Sequence, residues 1–196
     1  MKETLLALLC LTCCLSLAVA EDNPLLKEFK SPFGVPPFSK IKNEHYLPAI
    51  KEGIRLQQQE IAAIADNPQP PTFANTVDAL ELSGRVLTRV TNVFDNMTSA
   101  LTSEALQKIA EEASPLRSSH GDDIRLNAKL FQRIKAVYEQ KEGLGLTAEQ
   151  ERVLTRYYRE FVRGGANLEQ AQQEQLRSIN QELALLELKF GDHVLK

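Results

Sequence analysis

Apolar side chains recur along most of the chain at the three- and four-residue spacing of one α-helix face. The spacing runs through six segments, over residues 47–64, 77–101, 105–116, 130–138, 153–162 and 176–190. An amphipathic helix places such residues on the face that packs against the rest of the protein. No strand-length segment alternates apolar and polar residues. We therefore predict an all-α fold, a multi-helix bundle or stack of six or so helices with these stripes in the core.

The second and third helices each contain one residue that disfavours helix. The second is predicted to run unbroken from a cap at Asn75 or Thr76. Gly84 lies on its apolar stripe and predicts a close approach to another helix, at a propensity cost of about 1 kcal/mol against alanine. The third helix is weakened near its end by Pro115.

The last two helices carry clear start signals. Thr147 with Gln150 matches a capping box, in which each residue bonds a free backbone amide of the other. Asn167 with Gln170 opens the last helix in the same way, and that helix is expected to end near Phe190.

Residues 21–42 are predicted to form a proline-rich extended arm ahead of a helical domain over residues 43–196. Proline lacks an amide hydrogen and biases the residue before it toward extended backbone. The arm also carries apolar side chains, Leu25, Leu26, Phe29, Phe33, Val35 and Phe38. It should therefore lie along a surface that buries them.

The first 20 residues have the pattern of a secretory signal peptide. Lys2 precedes an apolar run, and small residues ending at Ala20 precede two acidic residues. We expect cleavage near Ala20 and a periplasmic or extracellular location. The run is short for a membrane span, which needs about 20 apolar residues. An uncleaved membrane anchor and lipidation at Cys14 are the alternatives.

Composition excludes several classes of site. All three cysteines lie within residues 1–20, so the processed chain would have neither disulfides nor a cysteine metal site. The net charge is -3 with the charges well mixed, and no basic stripe offers a surface for nucleic-acid phosphates. We expect no nucleic-acid partner.

No catalytic, cofactor-binding or metal-binding residue is predicted. The three histidines, His45, His120 and His193, do not form the His-Glu-x-x-His pattern that places two zinc ligands one helical turn apart. His45 is interpreted as a first-turn polar group and residues 119–123 as a solvated loop. The charged residues of the fifth helix are interpreted as its solvated face: Glu151, Arg152, Arg156, Arg159, Glu160 and Arg163.

Six stretches, in order, resemble one known enzyme family. They are NPLL (23–26), PFGVPPF (32–38), IKNEHYLPA (41–49), NPQPPTFANT (67–76), RVTNVF (89–94) and YYREFVRGGANL (157–168). Together they resemble the N-terminal region of the thimet-oligopeptidase-like zinc metallopeptidases, with the peptidyl-dipeptidase and oligopeptidase A branches as the most similar members.

The resemblance implies the N-terminal helical domain of a neurolysin-like fold. In that family two helical halves enclose a channel for short peptides, and zinc is held in the C-terminal half on a His-Glu-x-x-His helix. This chain lacks that motif, so no zinc or catalytic residue carries over. The resemblance implies a fragment that forms the channel wall of an exported peptidase, with a missing C-terminal catalytic domain as its partner.

The alternative is a stand-alone, non-catalytic module that binds peptides or a partner. The channel-wall hypothesis predicts exposed apolar surface on the arm and on the last helix, where the catalytic half would pack. The alternative predicts that Leu185 and Leu188, which lie off the main stripe of the last helix, are buried within this chain.

Overall fold

The computed structural model describes residues 23–194 and shows an all-α protein, as predicted. The signal peptide, with Cys14 and Ala20, lies outside the described residues. Seven α-helices follow in chain order: α1 (Asn43–Ala65), α2 (Ala79–Leu82), α3 (Arg85–Ala100), α4 (Glu104–Arg125), α5 (Ala128–Glu139), α6 (Ala148–Arg163) and α7 (Gln170–Val194). A wide helical turn, Phe73–Asp78, leads into α2. Single helical turns occur at Pro32–Gly34, Phe38–Lys40 and Lys141–Gly143.

The predicted start of α6 is confirmed, and that of α7 is displaced. Thr147 and Gln150 form the capping box, with the Thr147 hydroxyl accepting from the Gln150 amide at 3.2 Å. For α7 the reciprocal side chain is Gln172, which accepts from the Glu169 amide, so this helix starts two residues later than predicted. It also continues past Phe190 to Val194.

The prediction of one unbroken second helix is wrong. Gly84 separates α2 from α3 and adopts a left-handed backbone with φ 70°, which a residue with a side chain rarely adopts. The close approach predicted at Gly84 is present, because an added Cβ would lie 2.3 Å from Gln57 Nε2 of α1. Its amide donates to Glu60 Oε2 at 2.6 Å. The cap before this region is Thr72, not Asn75 or Thr76.

The prediction that residues 119–123 form a solvated loop is also wrong. α4 continues through Pro115 to Arg125, and His120 and Asp122 are buried inside it. Proline removes one backbone hydrogen bond, here to the carbonyl of Glu111. Helix α4 packs against α1 on one side and α7 on another, so tertiary contacts support its continuation past Pro115.

Two hydrophobic clusters form the core. The first joins the C-terminal half of α1 to the segment 73–82, α5 and α6 through these buried residues: Ile61, Ile64, Val77, Leu80, Leu130, Phe131, Ile134, Val137, Leu154 and Phe161. The second joins the arm to α1, α3 and α4 through Leu25, Tyr46, Ala49, Ile50, Val90, Val93, Phe94, Leu106 and Ala113. No residue of α7 is buried in either cluster.

Only the first half of the arm is anchored as predicted. Leu25 is fully buried, and the side chain of Asn23 donates to the backbone carbonyl of His45 at 2.8 Å. Arg89 of α3 donates to the carbonyl of Leu26 at 3.0 Å and lies over the ring of Phe29. The second half, by contrast, exposes its apolar side chains.

Candidate interaction surface

The apolar stripe of α7 is exposed, which contradicts the prediction that it lies in the core. Ile179, Leu183 and Leu186 are each about half exposed, at 51%, 50% and 53%, and Phe190 is 72% exposed. Leu176, at the start of the stripe, is partly buried. Apolar residues scattered singly on a surface are normal, but a continuous stripe indicates an interaction surface.

Helix α7 is attached to the protein through α4, by polar contacts beside the stripe. Asn180 donates to Oδ1 of the buried Asp122 at 2.8 Å. Arg177 donates to Asp123 at 2.7 Å, and the hydroxyl of Ser114 donates to the carbonyl of Ala184 at 3.2 Å. These contacts hold α7 in place while leaving its stripe uncovered.

Leu185 and Leu188 are only partly buried. The stand-alone alternative predicted that both would be buried within this chain. That condition is not met, whereas the exposed surface that the channel-wall hypothesis predicted is present on α7.

The second half of the arm also exposes apolar side chains. Phe33 is fully exposed and has a positive φ of 62°, which is uncommon for a residue other than glycine. Its loop is closed by the hydroxyl of Ser31, which donates to the carbonyl of Val35. Val35 and Phe38 are each about half exposed. The loop therefore presents an aromatic side chain outward.

The arm and the C-terminal end of α7 lie at the same end of the molecule. Tyr46, near the start of α1, packs against Phe94, near the end of α3, at 5.1 Å between ring centroids. A groove of about 500 Å³ lies between this end of α3 and residues Leu188 and Gly191 of α7. The start of α1, which follows the arm, and the C-terminal part of α7 therefore both lie beside the end of α3.

The structure separates the three histidines. His45 Nδ1 accepts from the Lys42 amide at 3.0 Å, which confirms the first-turn interpretation. His193 is exposed in the last turn of α7. His120 is buried on α4, whereas His45 is partly buried and His193 is exposed.

The charged face of α6 is exposed, as predicted, and Arg156 pairs there with Glu81.

His120 lies between α4 and α1. Its Nε2 contacts Gln57 Oε1 at 2.8 Å, and its Nδ1 has no hydrogen-bond partner in the described part of the chain. Burial lowers the pKa of His120, because a charged imidazole loses its hydration there, and the nearby Asp123 carboxylate partly opposes this shift.

Among residues 23–194, no group of three or more His, Cys, Asp or Glu side chains is arranged to hold a metal ion. None of the helices in this range has both the length and the hydrophobicity that a membrane span requires.

Comparison with known proteins identifies peptidases as relatives. The chain is 44% identical over 173 residues to the dipeptidyl carboxypeptidase of Escherichia coli K12 and 41% identical to that of Salmonella typhimurium LT2. It is 25% identical over 173 residues to Escherichia coli oligopeptidase A. These relatives cover 88% of the chain and match the thimet-oligopeptidase-like family, so the resemblance drawn from the motifs is confirmed.

The chain spans only about a quarter of each of these relatives, 25% of their length in all three. No family profile matches it. The activity of these longer relatives can therefore be assigned to this chain only as a proposal.

Proposed function

We propose that this chain is the N-terminal helical wall of an exported zinc metallopeptidase that hydrolyses short peptides. The observation that carries the proposal is the 44% identity, over 88% of this chain, to a dipeptidyl carboxypeptidase four times as long as the matched region. The relatives named oligopeptidase A support peptides as the substrate class. Release of dipeptides is the cleavage mode that the name of the 44% identical relative suggests.

The exposed apolar surfaces support a role as one part of a larger enzyme. The stripe of α7 and the loop around Phe33 face away from both hydrophobic clusters. In the complete peptidase these surfaces would pack against the catalytic half. Burial of such a surface contributes about 25 cal/mol per Å² of apolar area removed from water.

The zinc site would lie outside this region of the polypeptide. Zinc in a peptidase activates a bound water for attack on the peptide carbonyl. It takes three protein ligands in such a site. The described residues offer no such group, so they do not fit the metal, and we assign this region no step through it. In this proposal, the region forms one wall of the channel and restricts access to short peptides.

A chimera tests this proposal. The whole chain would replace the matching quarter of Escherichia coli dipeptidyl carboxypeptidase, and the release of dipeptides from a short peptide would be measured. The control is the same enzyme with that quarter deleted. We expect the chimera to hydrolyse the peptide, to lose activity with a zinc chelator, and to regain it when zinc is added. A folded, zinc-loaded chimera no more active than the deletion would refute the proposed role.

The DNA that follows the Lys196 codon provides a second test. A reading frame that encodes a His-Glu-x-x-His helix within roughly a thousand bases is expected if this is the front part of a peptidase of this class. If the region encodes none in any frame, the stand-alone binding module becomes the better hypothesis.

Export is a separate part of the proposal. It rests on the pattern of residues 1–20. The chain would be expressed in Escherichia coli with its own leader, and the intact mass of the periplasmic product would be measured. A mass that begins at Glu21 is expected. Uncleaved protein in the cytoplasm, or a lipid-modified mass at Cys14, would contradict it.

A further inference from the structure

The stripe of α7 has the spacing of a coiled-coil seam. Its five members are separated by alternating steps of three and four residues: Leu176, Ile179, Leu183, Leu186 and Phe190. This spacing matches the a and d positions of a heptad repeat, whose side chains insert between those of a facing helix. Four of the five are at least half exposed, so the positions that a facing helix would cover are open.

No described helix covers the seam. Helix α4 contacts α7 through Arg177, Asn180 and Ala184. Successive residues of an α-helix are rotated by about 100°, so these three lie roughly a third of a turn from the seam. The seam therefore faces a direction in which α4 cannot reach it.

Charges along the seam define the chemistry of the missing helix. Glu187 lies on one side, and Glu182 and Lys189 lie on the other. All three are exposed, and within residues 23–194 no ion pair involves them. A complementary helix would place basic residues opposite the two glutamates, since flanking charges set partner choice in coiled coils.

We propose that the α7 seam binds one amphipathic helix with an apolar heptad seam and basic flanking residues. The helix is supplied by the part of the polypeptide that the longer relatives have beyond the region matched here. The crossing angle is about 20°, as in coiled coils. This inference deepens the proposed function and rests on it, because it identifies how the catalytic half attaches.

The first test uses the chimera described above. Hydroxyl-radical footprinting would compare oxidation of Phe190 and Leu186 in the chimera and in the purified chain alone. Several-fold protection in the active chimera is expected, with Leu144, in the loop before α6, as the internal reference. An active chimera in which the seam is oxidised as in the isolated chain would overturn this inference while leaving the proposed function standing.

A pair of matched variants shows whether the seam carries the attachment. Leu183→Glu combined with Leu186→Glu introduces two charges on the seam. Ser178→Glu combined with Gln181→Glu introduces the same two charges on exposed positions away from it. Only the first pair should reduce dipeptide release in the chimera, and neither should unfold the isolated chain. Equal activity of the two variants would contradict the proposal.

A peptide assay tests the inference even if the chimera is inactive. The probes are two synthetic helices of about four heptads with leucine at the seam, flanked by lysine in one and by glutamate in the other. The purified chain should bind the lysine-flanked helix more tightly, and Glu182→Lys with Glu187→Lys should reverse that preference. Equal binding of both helices, or a dimer of the chain that Leu183→Glu with Leu186→Glu dissolves, would overturn the proposal.

Discussion

Helices α6 and α7 both carry an apolar stripe at helical spacing, but the stripe is buried in α6 and exposed in α7. In α6, Leu154 is fully buried and Phe161 is 3% exposed, stacked 6.1 Å from Phe131 of α5. In α7, the corresponding stripe members Leu183 and Phe190 are 50% and 72% exposed.

The difference shows that an apolar stripe marks a face to be buried but not what buries it. The α6 stripe is covered because α5 and the turn Phe73–Asp78 supply a matching apolar surface within the same region. The α7 stripe has no such surface among residues 23–194, and α7 is positioned instead by Asp122, Asp123 and Ser114 of α4. An uncovered stripe on a well-attached helix indicates an interface.

Truncating one leucine in each of the two helices should give the largest difference in the free energy of unfolding. Leu154→Ala leaves a cavity in the first cluster and should lower the free energy of unfolding by about 2–5 kcal/mol. Leu183→Ala removes the same atoms from a half-exposed position and should change it by no more than about 0.5 kcal/mol. Urea unfolding of the purified chain measures both. Comparable losses would show that the α7 stripe is buried in solution, by a second copy or by a different packing.

The contact between Asn180 and Asp122 should have the next largest effect. Asn180→Ala removes the donor that lies 2.8 Å from a carboxylate that is 2% exposed. Arg125, at 3.5 Å, is the other partner of that oxygen among residues 23–194. An under-satisfied buried acceptor costs about 1–3 kcal/mol. We expect a loss in this range by urea unfolding, together with faster hydrogen exchange along α7.

The matched control is Gln181→Ala, one residue away on an exposed position, which should leave both measurements unchanged. A double-mutant cycle with Asp122→Ala separates the energy of this contact from the general effects of each substitution. The stability losses caused by substituting two residues in contact are not additive. Additive losses would mean that the two side chains do not support each other.

The all-α fold class and the positions of most helices could be predicted from the sequence, because both depend on the local pattern of apolar residues. The capping box at Thr147 and the first-turn role of His45 are settled by residues three positions apart, and both were predicted correctly. The break at Gly84 was missed because glycine on a helical stripe has two explanations. What decides between them is the contact of Gly84 with Gln57 and Glu60, which are more than 20 residues away.

The interaction surface could be predicted only in part. The apolar surface expected on the arm and on α7 is present, but the same stripe was also interpreted as core, and only the packing separates the two. The continuation of α4 past Pro115 was not predicted, because a proline disfavours helix and the apolar pattern beyond it is weak. Ala113, His120 and Ile124 keep helical spacing across it. A histidine at that spacing gave no indication that it would be buried against Gln57.

The titration of His120 should have the smallest effect on the free energy of unfolding. This residue lies on the side of α4 that faces α1, whereas Asp122 and Asp123 contact α7. The pKa of His120 is lowered by burial from its ordinary value of 6.5, so below that pH the unfolded chain binds a proton that the folded chain resists. The free energy of unfolding should therefore fall as the pH is lowered from about 7 through the folded pKa. His120→Gln should flatten this decline. An identical pH dependence in the wild type and in His120→Gln would show that this imidazole is not held neutral by the fold.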